Sequence, residues 1–199
     1  MQVVYYLDWP TDEYVWLARK SIARTRNVMP GVEVVHLTTT RWDGPDVGAD
    51  HVVKVDVLEG SFYGYRRCAA HATMTGENLF LDVDCIVRRD VRFIFERDFD
   101  VAVCAKHLDR GASMPFNGGV CFSRCPQFWL DVAGKPEDHQ GWDHTERRYS
   151  MTAMKDKYSV RLLDGDIYNY CPHDALENVD GKAIVHYKGA RKAWMRAAA

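Results

Sequence analysis

The sequence predicts an α/β fold with a central, mostly parallel sheet flanked by helices, and three observations carry that prediction. Short apolar runs alternate with segments of helical periodicity through the first half of the chain, the pattern of strands joined by helical crossovers. Two of these runs, Val3 to Leu7 and Leu79-Phe80-Leu81, are apolar throughout, as strands buried on both faces are. One of them, Leu79-Phe80-Leu81, closes in two carboxylates, Asp82 and Asp84. The mouth of a parallel sheet is where open α/β proteins bind their ligands.

Taken in order, Val3 to Leu7 reads as a buried first strand. Thr11 or Asp12 then caps a helix in which Tyr14, Leu17, Ala18 and Ile22 recur at helical spacing to about Arg26. Met29-Pro30-Gly31 turns the chain into a second strand, Val32 to Leu37, and His51 to Val55 forms a short third. Phe62 to Thr75 reads as a helix stopped by Gly76, and Asn78 to Asp82 as the fourth strand. Val91 to Phe95 suits one helical turn and Val101 to Cys104 a strand, while Gly118-Gly119 leads into another strand at Val120 to Ser123. Gln127 to Val132 and Trp142 to Asp156 look helical, and Val160 to Leu163 and Ala183 to His186 are late strands. No linker, repeat or low-complexity tract interrupts residues 1–196, which are expected to form one domain, with Ala197-Ala198-Ala199 a tail outside it.

The 199 residues suffice for one substantial core, and 47% hydrophobic with 27% charged residues is ordinary for a soluble globular protein. With 26 basic and 28 acidic residues, a net charge of −2 gives no support for a nucleic-acid or anionic-membrane binder. No apolar stretch approaches the ~20 residues of a membrane span, and the N-terminus meets charge too early for a signal peptide. The cysteines, Cys68, Cys85, Cys104, Cys121, Cys125 and Cys171, are scattered; only Cys121 and Cys125 lie close, and no second pair completes a zinc set. The expectation is a chain in a reducing cytoplasm.

Three segments could carry chemistry. Two carboxylates at the end of a buried strand are expensive to bury unpaired. A hard divalent cation that also holds phosphates would pair Asp82 and Asp84, though two exposed, capping aspartates would fit the same residues. His186-Tyr187-Lys188-Gly189-Ala190-Arg191-Lys192-Ala193-Trp194 follows the strand Ala183-Ile184-Val185. A neutral imidazole there can complete a metal site, Gly189 would let backbone amides approach phosphate oxygens, and Lys188 or Lys192 can neutralise a diphosphate. The competing reading is a solvated basic tail. In Phe116-Asn117-Gly118-Gly119-Val120 the glycines let a ligand lie against the backbone and Asn117 offers donor and acceptor to hydroxyl groups. Asn-Gly is above all a turn signal, so a plain turn competes.

In their order and spacing the three segments resemble those of GT-A glycosyltransferases, most of all glycosyltransferase family 8 with its galactosyltransferase and glycogenin-type members. The resemblance covers nearly the whole chain. Its most specific part is the H-x-x-G-x-x-K-x-W ending, in which Ala193 stands where the family usually has proline. It implies a GT-A (nucleotide-diphospho-sugar transferase) fold, a single Rossmann-like domain, and a hexosyltransferase using a UDP-sugar with Mn²⁺ or Mg²⁺. Asp82 and Asp84 would then be the DxD pair holding the cation and the ribose–diphosphate, with Asp84 the direct ligand and His186 the third protein ligand. Gly189 and Lys192 would contact the diphosphate. Asp8 and Tyr14 are the nearest equivalents of residues near the uracil. Arg66 or Arg67 would reach the sugar nucleotide, and spacing does not choose between them. Asn117 and Gly118 would line the donor sugar. Asp143 is the candidate catalytic or sugar-contacting carboxylate, with Gln140 and Glu146 behind it, although a helix N-terminal aspartate fits the same position. Tyr168-Asn169-Tyr170 resembles a strand-end motif of structural role.

Such a site works by stabilising a leaving group that gains negative charge, so no general acid is required. A retaining course, as in family 8, and an inverting one with Asp143 as base both fit the residues. The acceptor could be a glycan, lipid or protein. Trp9, Trp42, Trp129 and Trp142 could stack on sugars, with core packing the first expectation for each. Two other functions compete. A sugar nucleotidyltransferase needs a glycine-rich basic N-terminal loop, and Asp8-Trp9-Pro10-Thr11 is neither. A catalytically silent sugar-nucleotide or glycan-binding protein stays open because the chain is short for family 8.

Overall fold

The computed structural model describes residues 1–58, 60–106 and 114–196, so Ala197-Ala198-Ala199 lies outside the described residues. Its strands are β1 (Gln2–Tyr6), β2 (Glu33–Thr39), β3 (His51–Val55), β4 (Asn78–Leu81), β5 (Cys85–Val87), β6 (Val101–Ala105), β7 (Phe116–Ser123), β8 (Val160–Asp164) and β9 (Ile184–His186). The helices are α1 (Asp12–Val28), α2 (Tyr63–His71), α3 (Pro126–Ala133), α4 (Trp142–Ala153) and the short α5 (Gly165–Tyr168). Seven strands form one sheet in the order β3-β2-β1-β4-β7-β6-β8. All run parallel except β7, which is antiparallel to both its neighbours.

Helices cover both faces of this sheet, as parallel strands require. Alternate side chains of β1 divide between two cores: Val3 and Tyr5 pack with α1 residues Leu17 and Ile22, whereas Val4 and Tyr6 pack with Cys68 of α2 and Trp129 of α3. Thr11 supplies the cap of α1, its hydroxyl accepting from the Tyr14 N–H at 3.3 Å, with Asp12 and Glu13 in the first turn, where they favour the helix dipole. Trp42 and Trp129 are core residues, as expected, while Trp9 and Trp142 are exposed.

Three elements differ from the sequence expectation, and each difference shapes the site. β7 begins at Phe116, so Asn117-Gly118-Gly119 lies inside a strand rather than in a turn before one. Its register against β6 jumps from Val103↔Cys121 to Cys104↔Asn117, a bulge, while on the other side Leu81 of β4 still faces Val120. Bulges of this kind re-aim side chains beside functional sites. Second, the late strand β9 does not join the large sheet. It pairs antiparallel with β5, a strand of three residues too short to announce itself by pattern. Third, Gly189–Arg196, for which the sequence predicts no regular element, forms a 3₁₀ segment.

His71 tests the core packing. Its ring stacks on Phe80 at 4.1 Å and meets Trp129 edge-on at 4.6 Å. Burial, with help from the Arg67 charge, holds the imidazole pKa well below its ordinary value. The unfolded chain takes up this proton below about pH 6.5 and the folded chain does not, so stability falls as pH drops through that window. Replacing His71→Phe should flatten the pH dependence of unfolding free energy between about pH 6 and 5, by up to about 1.4 kcal/mol per pH unit. Urea titrations across that range measure it, and identical slopes for the two proteins would contradict a buried neutral imidazole.

Candidate functional site

The site is assembled where β4 ends. The Asp82 N–H donates to the Gly119 carbonyl at 2.9 Å, holding the strand end against the bulged part of β7. A tight turn, closed by the Cys85 N–H on the Asp82 carbonyl at 3.1 Å, then brings Asp84 round. In the β5–β9 pair His186 lies directly opposite Cys85. The Tyr187 N–H also donates to the Asp84 carbonyl at 2.8 Å, so backbone bonds fix the imidazole beside both aspartates.

The side chains converge accordingly. His186 Nε2 is 3.2 Å from Asp84 Oδ1 and 3.7 Å from Asp82 Oδ2. Lys192 Nζ is 3.2 Å from Asp84 Oδ2, and the Tyr14 ring lies 5.6 Å beneath the same ammonium. Asp84 is nearly sealed from solvent, its side chain 8% exposed, whereas that of Asp82 is 30% exposed. Burial would raise the Asp84 pKa, but the neighbouring His186 and the Lys192 ammonium outweigh it and hold the carboxyl below its ordinary range. Burial pulls the Lys192 pKa down, and the Asp84 carboxylate more than compensates, so its net shift is upward. Gly189 opens the 3₁₀ segment that carries Lys192, with φ +65°, the left-handed region that glycine enters without strain.

Cys85 also lies within 4.8 Å of the Asp84 and His186 donor atoms. Burial, with the charges of Asp84 and Asp82, pushes this thiol well above its ordinary pKa. Its Sγ donates to the Gly119 carbonyl at 3.6 Å, so it packs as a neutral thiol. The remaining donor atoms, carboxylate oxygens and an imidazole nitrogen, form a set that fits a hard to borderline divalent cation.

The adjacent arginines separate cleanly. Arg66 Nε donates to Asp8 Oδ2 at 2.6 Å, and the Tyr6 hydroxyl donates to the same oxygen at 2.8 Å. Asp8 Oδ1 is buried with no hydrogen-bond partner. Arg67, itself buried, donates from Nη1 to Asp82 Oδ1 at 2.6 Å and lies over the Trp142 ring at 5.4 Å. A Cβ on Gly118 would come within 3.2 Å of its Nη2.

Behind His186 runs a polar relay. Its Nδ1 is 2.9 Å from Asn169 Oδ1, and Asn169 Nδ2 donates to Asn117 Oδ1 at 3.0 Å. Asn117 Nδ2 donates to Glu146 Oε1 at 3.0 Å, and Lys106 Nζ donates to Glu146 Oε2 at 2.6 Å. On α4, therefore, Glu146 is the carboxylate wired to the site. Asp143 lies exposed in the first turn of the helix, and Gln140 lines an open groove with Ser61, Phe62 and Glu137. The sequence reading set Glu146 behind Asp143, assigned Asn169 only a structural role and did not single out Lys106. Helix phase and the distant pairing of Asn169 with His186 are what it could not supply.

The architecture is the GT-A fold, which solved glycosyltransferases share. The likeness extends to particular solved structures. The glycosyltransferase GlyE of Streptococcus pneumoniae TIGR4 aligns at a TM-score of 0.64 and 19% identity, over 98% of this chain and 60% of GlyE. The galactosyltransferase LgtC, solved with donor and acceptor sugar analogs, aligns at 0.62 and 14% identity over 96% of this chain and 88% of LgtC. A glycosyltransferase involved in glycosylation of the major capsid of PBCV-1 aligns at 0.63 and 14% identity, over 99% of this chain and all of that one. No family model matches the sequence, and no curated protein sequence does. No helix among the described residues is long and apolar enough to cross a membrane.

Gly119 packs closely against the site. A Cβ there would fall 2.3 Å from His186 Cε1 and 2.8 Å from Asp82 Oδ2. Gly119→Ala should therefore displace both side chains and destabilise the chain by about 1–3 kcal/mol, a fall of several degrees in Tm for a chain of this size. Thermal unfolding measures it, and an unchanged Tm would contradict the close approach of β7 to His186.

Proposed function

We propose that this chain, as one domain over residues 1–196, is a metal-dependent glycosyltransferase. It transfers a hexose from a UDP-sugar to the hydroxyl of a glycan, lipid or protein acceptor. The observation that carries the reading is the convergence of Asp82, Asp84 and His186 beside Lys192, at the strand mouth of a fold shared with sugar transferases.

In this reading Asp82, Asp84 and His186 hold Mn²⁺ or Mg²⁺, which when bound supplies positive charge to the departing diphosphate. The chain's own contribution to the same task is the Lys192 ammonium, with backbone N–H groups around Gly189. Asp8 is assigned to the nucleotide base, with Tyr14 beside it. The unpartnered Asp8 Oδ1 is a buried acceptor whose desolvation a ligand N–H would offset. Arg67, through Asp82 and against Gly118, is assigned to the donor side, and Arg66 to holding Asp8. Asn117 and Gly118 line the sugar, with Glu146 fixed behind Asn117. Asp143 and Gln140, exposed at the entry to α4, are assigned to the acceptor side, where Asp143 would act as base if transfer inverts.

One observation favours a second reading. Asp82 and Asp84 each already have a cationic partner, Arg67 and Lys192, so a catalytically silent sugar-nucleotide-binding protein would need no metal to hold the site together.

Asp84→Ala and His186→Ala should each abolish Mn²⁺-dependent UDP binding measured by calorimetry; unchanged binding in both would sink the metal assignment. The intact chain with Mn²⁺ should also release UDP slowly from UDP-glucose or UDP-galactose without acceptor. Tight UDP binding with no hydrolysis of any donor would select the silent reading.

A further inference from the structure

The relay behind His186 has a polarity that its end groups dictate. The Lys106 ammonium can only donate and the Glu146 carboxylate can only accept, so Asn117 must turn its NH₂ toward Glu146 Oε1. The Gly119 backbone N–H, also a donor only, reaches Asn117 Oδ1 at 2.8 Å and pins the same orientation independently. With Asn117 Oδ1 facing outward, Asn169 must present its own NH₂ to it, at 3.0 Å, and its oxygen to His186. The 2.9 Å contact between Asn169 Oδ1 and His186 Nδ1 can then be filled in one way, with the proton on Nδ1. Asn117 and Asn169 are both buried, so water does not substitute for either partner.

We infer that Asn169, held in orientation by Asn117, is a positioning residue that locks His186 in the Nδ1–H tautomer and so aims an unprotonated Nε2 at Asp82 and Asp84. The consequence lies 3.2 Å and 3.7 Å away, where Nε2 meets two carboxylate oxygens. In this tautomer three electron-pair donors face one another with no proton among them, an arrangement that a cation relieves. In the opposite tautomer Nε2 would donate to Asp84 and be lost as a ligand. Partners of this kind on metal-bound histidines fix ring and tautomer, and their removal typically weakens metal binding 10–100-fold. The ligand role of Nε2 rests on the metal reading proposed above, whereas the tautomer does not.

The test therefore has a metal-free arm. Long-range ¹H–¹⁵N correlation spectra of the intact, metal-free chain at about pH 9, above the ordinary imidazole range, report which ring nitrogen of His186 carries the proton. The proton should sit on Nδ1 alone; a proton on Nε2 would overturn the inference, and this measurement needs no variant. In Asn169→Leu the proton should move to Nε2, and the Mn²⁺ dissociation constant, read by electron paramagnetic resonance of free Mn²⁺, should rise 10–100-fold. An unchanged tautomer with affinity within twofold of the parent would equally overturn it. A parent chain with the Nδ1–H tautomer but no Mn²⁺ affinity would refute the metal reading and uphold the tautomer assignment.

Discussion

The antiparallel pairing of β5 with β9 brings a histidine from the last strand against two aspartates from the middle of the chain. The pairing is short, Cys85↔His186 to Val87↔Ile184, yet it is buried throughout and backed by α1, whose Ser21 hydroxyl donates to the Cys85 carbonyl. Because side chains alternate across a strand, a one-residue slip would turn His186 away from Asp84. The Tyr187 N–H on the Asp84 carbonyl guards against that slip. Gly119 adds the second constraint, since β7 can approach the imidazole only where it has no side chain.

Charge at the site is balanced by neighbours of different reach. Arg67 neutralises Asp82 from the α2 side and Lys192 neutralises Asp84 from the C-terminal segment. Each pair has one buried member, Arg67 and Asp84, and removing the partner of either leaves that buried charge uncompensated, which costs more than the pair contributes. The proposed metal centre would draw on the same carboxylates, so ion and lysine act on one pool of negative charge. Asp8 and Arg66 form a separate pair farther along the mouth, where the unpartnered Asp8 oxygen favours a ligand with an N–H group.

Much of this was legible in the residues. Strands β1 and β4 announced themselves by the unbroken apolar runs Val3 to Leu7 and Leu79-Phe80-Leu81, and the Asp82-Val83-Asp84 ending and the His186 to Trp194 segment pointed to one strand mouth. What was not legible depends on packing. β5 is too short for a periodic signal, and the bulge that carries Asn117-Gly118-Gly119 into β7 looks in sequence like a hairpin turn. Arg66 and Arg67 are neighbours on a helix, about 100° apart around its axis, so only the packed helix decides which faces Asp82. The same helical phase sets Glu146 rather than Asp143 against Asn117. Asn169 is tied to His186 by a contact between distant parts of the chain that no local pattern encodes.

The central claim is that Asp82, Asp84 and His186 form one cation site under a sugar-nucleotide diphosphate. Diffraction from crystals grown with Mn²⁺ and UDP, collected on either side of the manganese absorption edge, tests it most directly. The account predicts a single anomalous peak bounded by the two carboxylates and His186 Nε2, in contact with the diphosphate. UDP bound with no manganese between these residues, or manganese bound elsewhere on the chain, would contradict it.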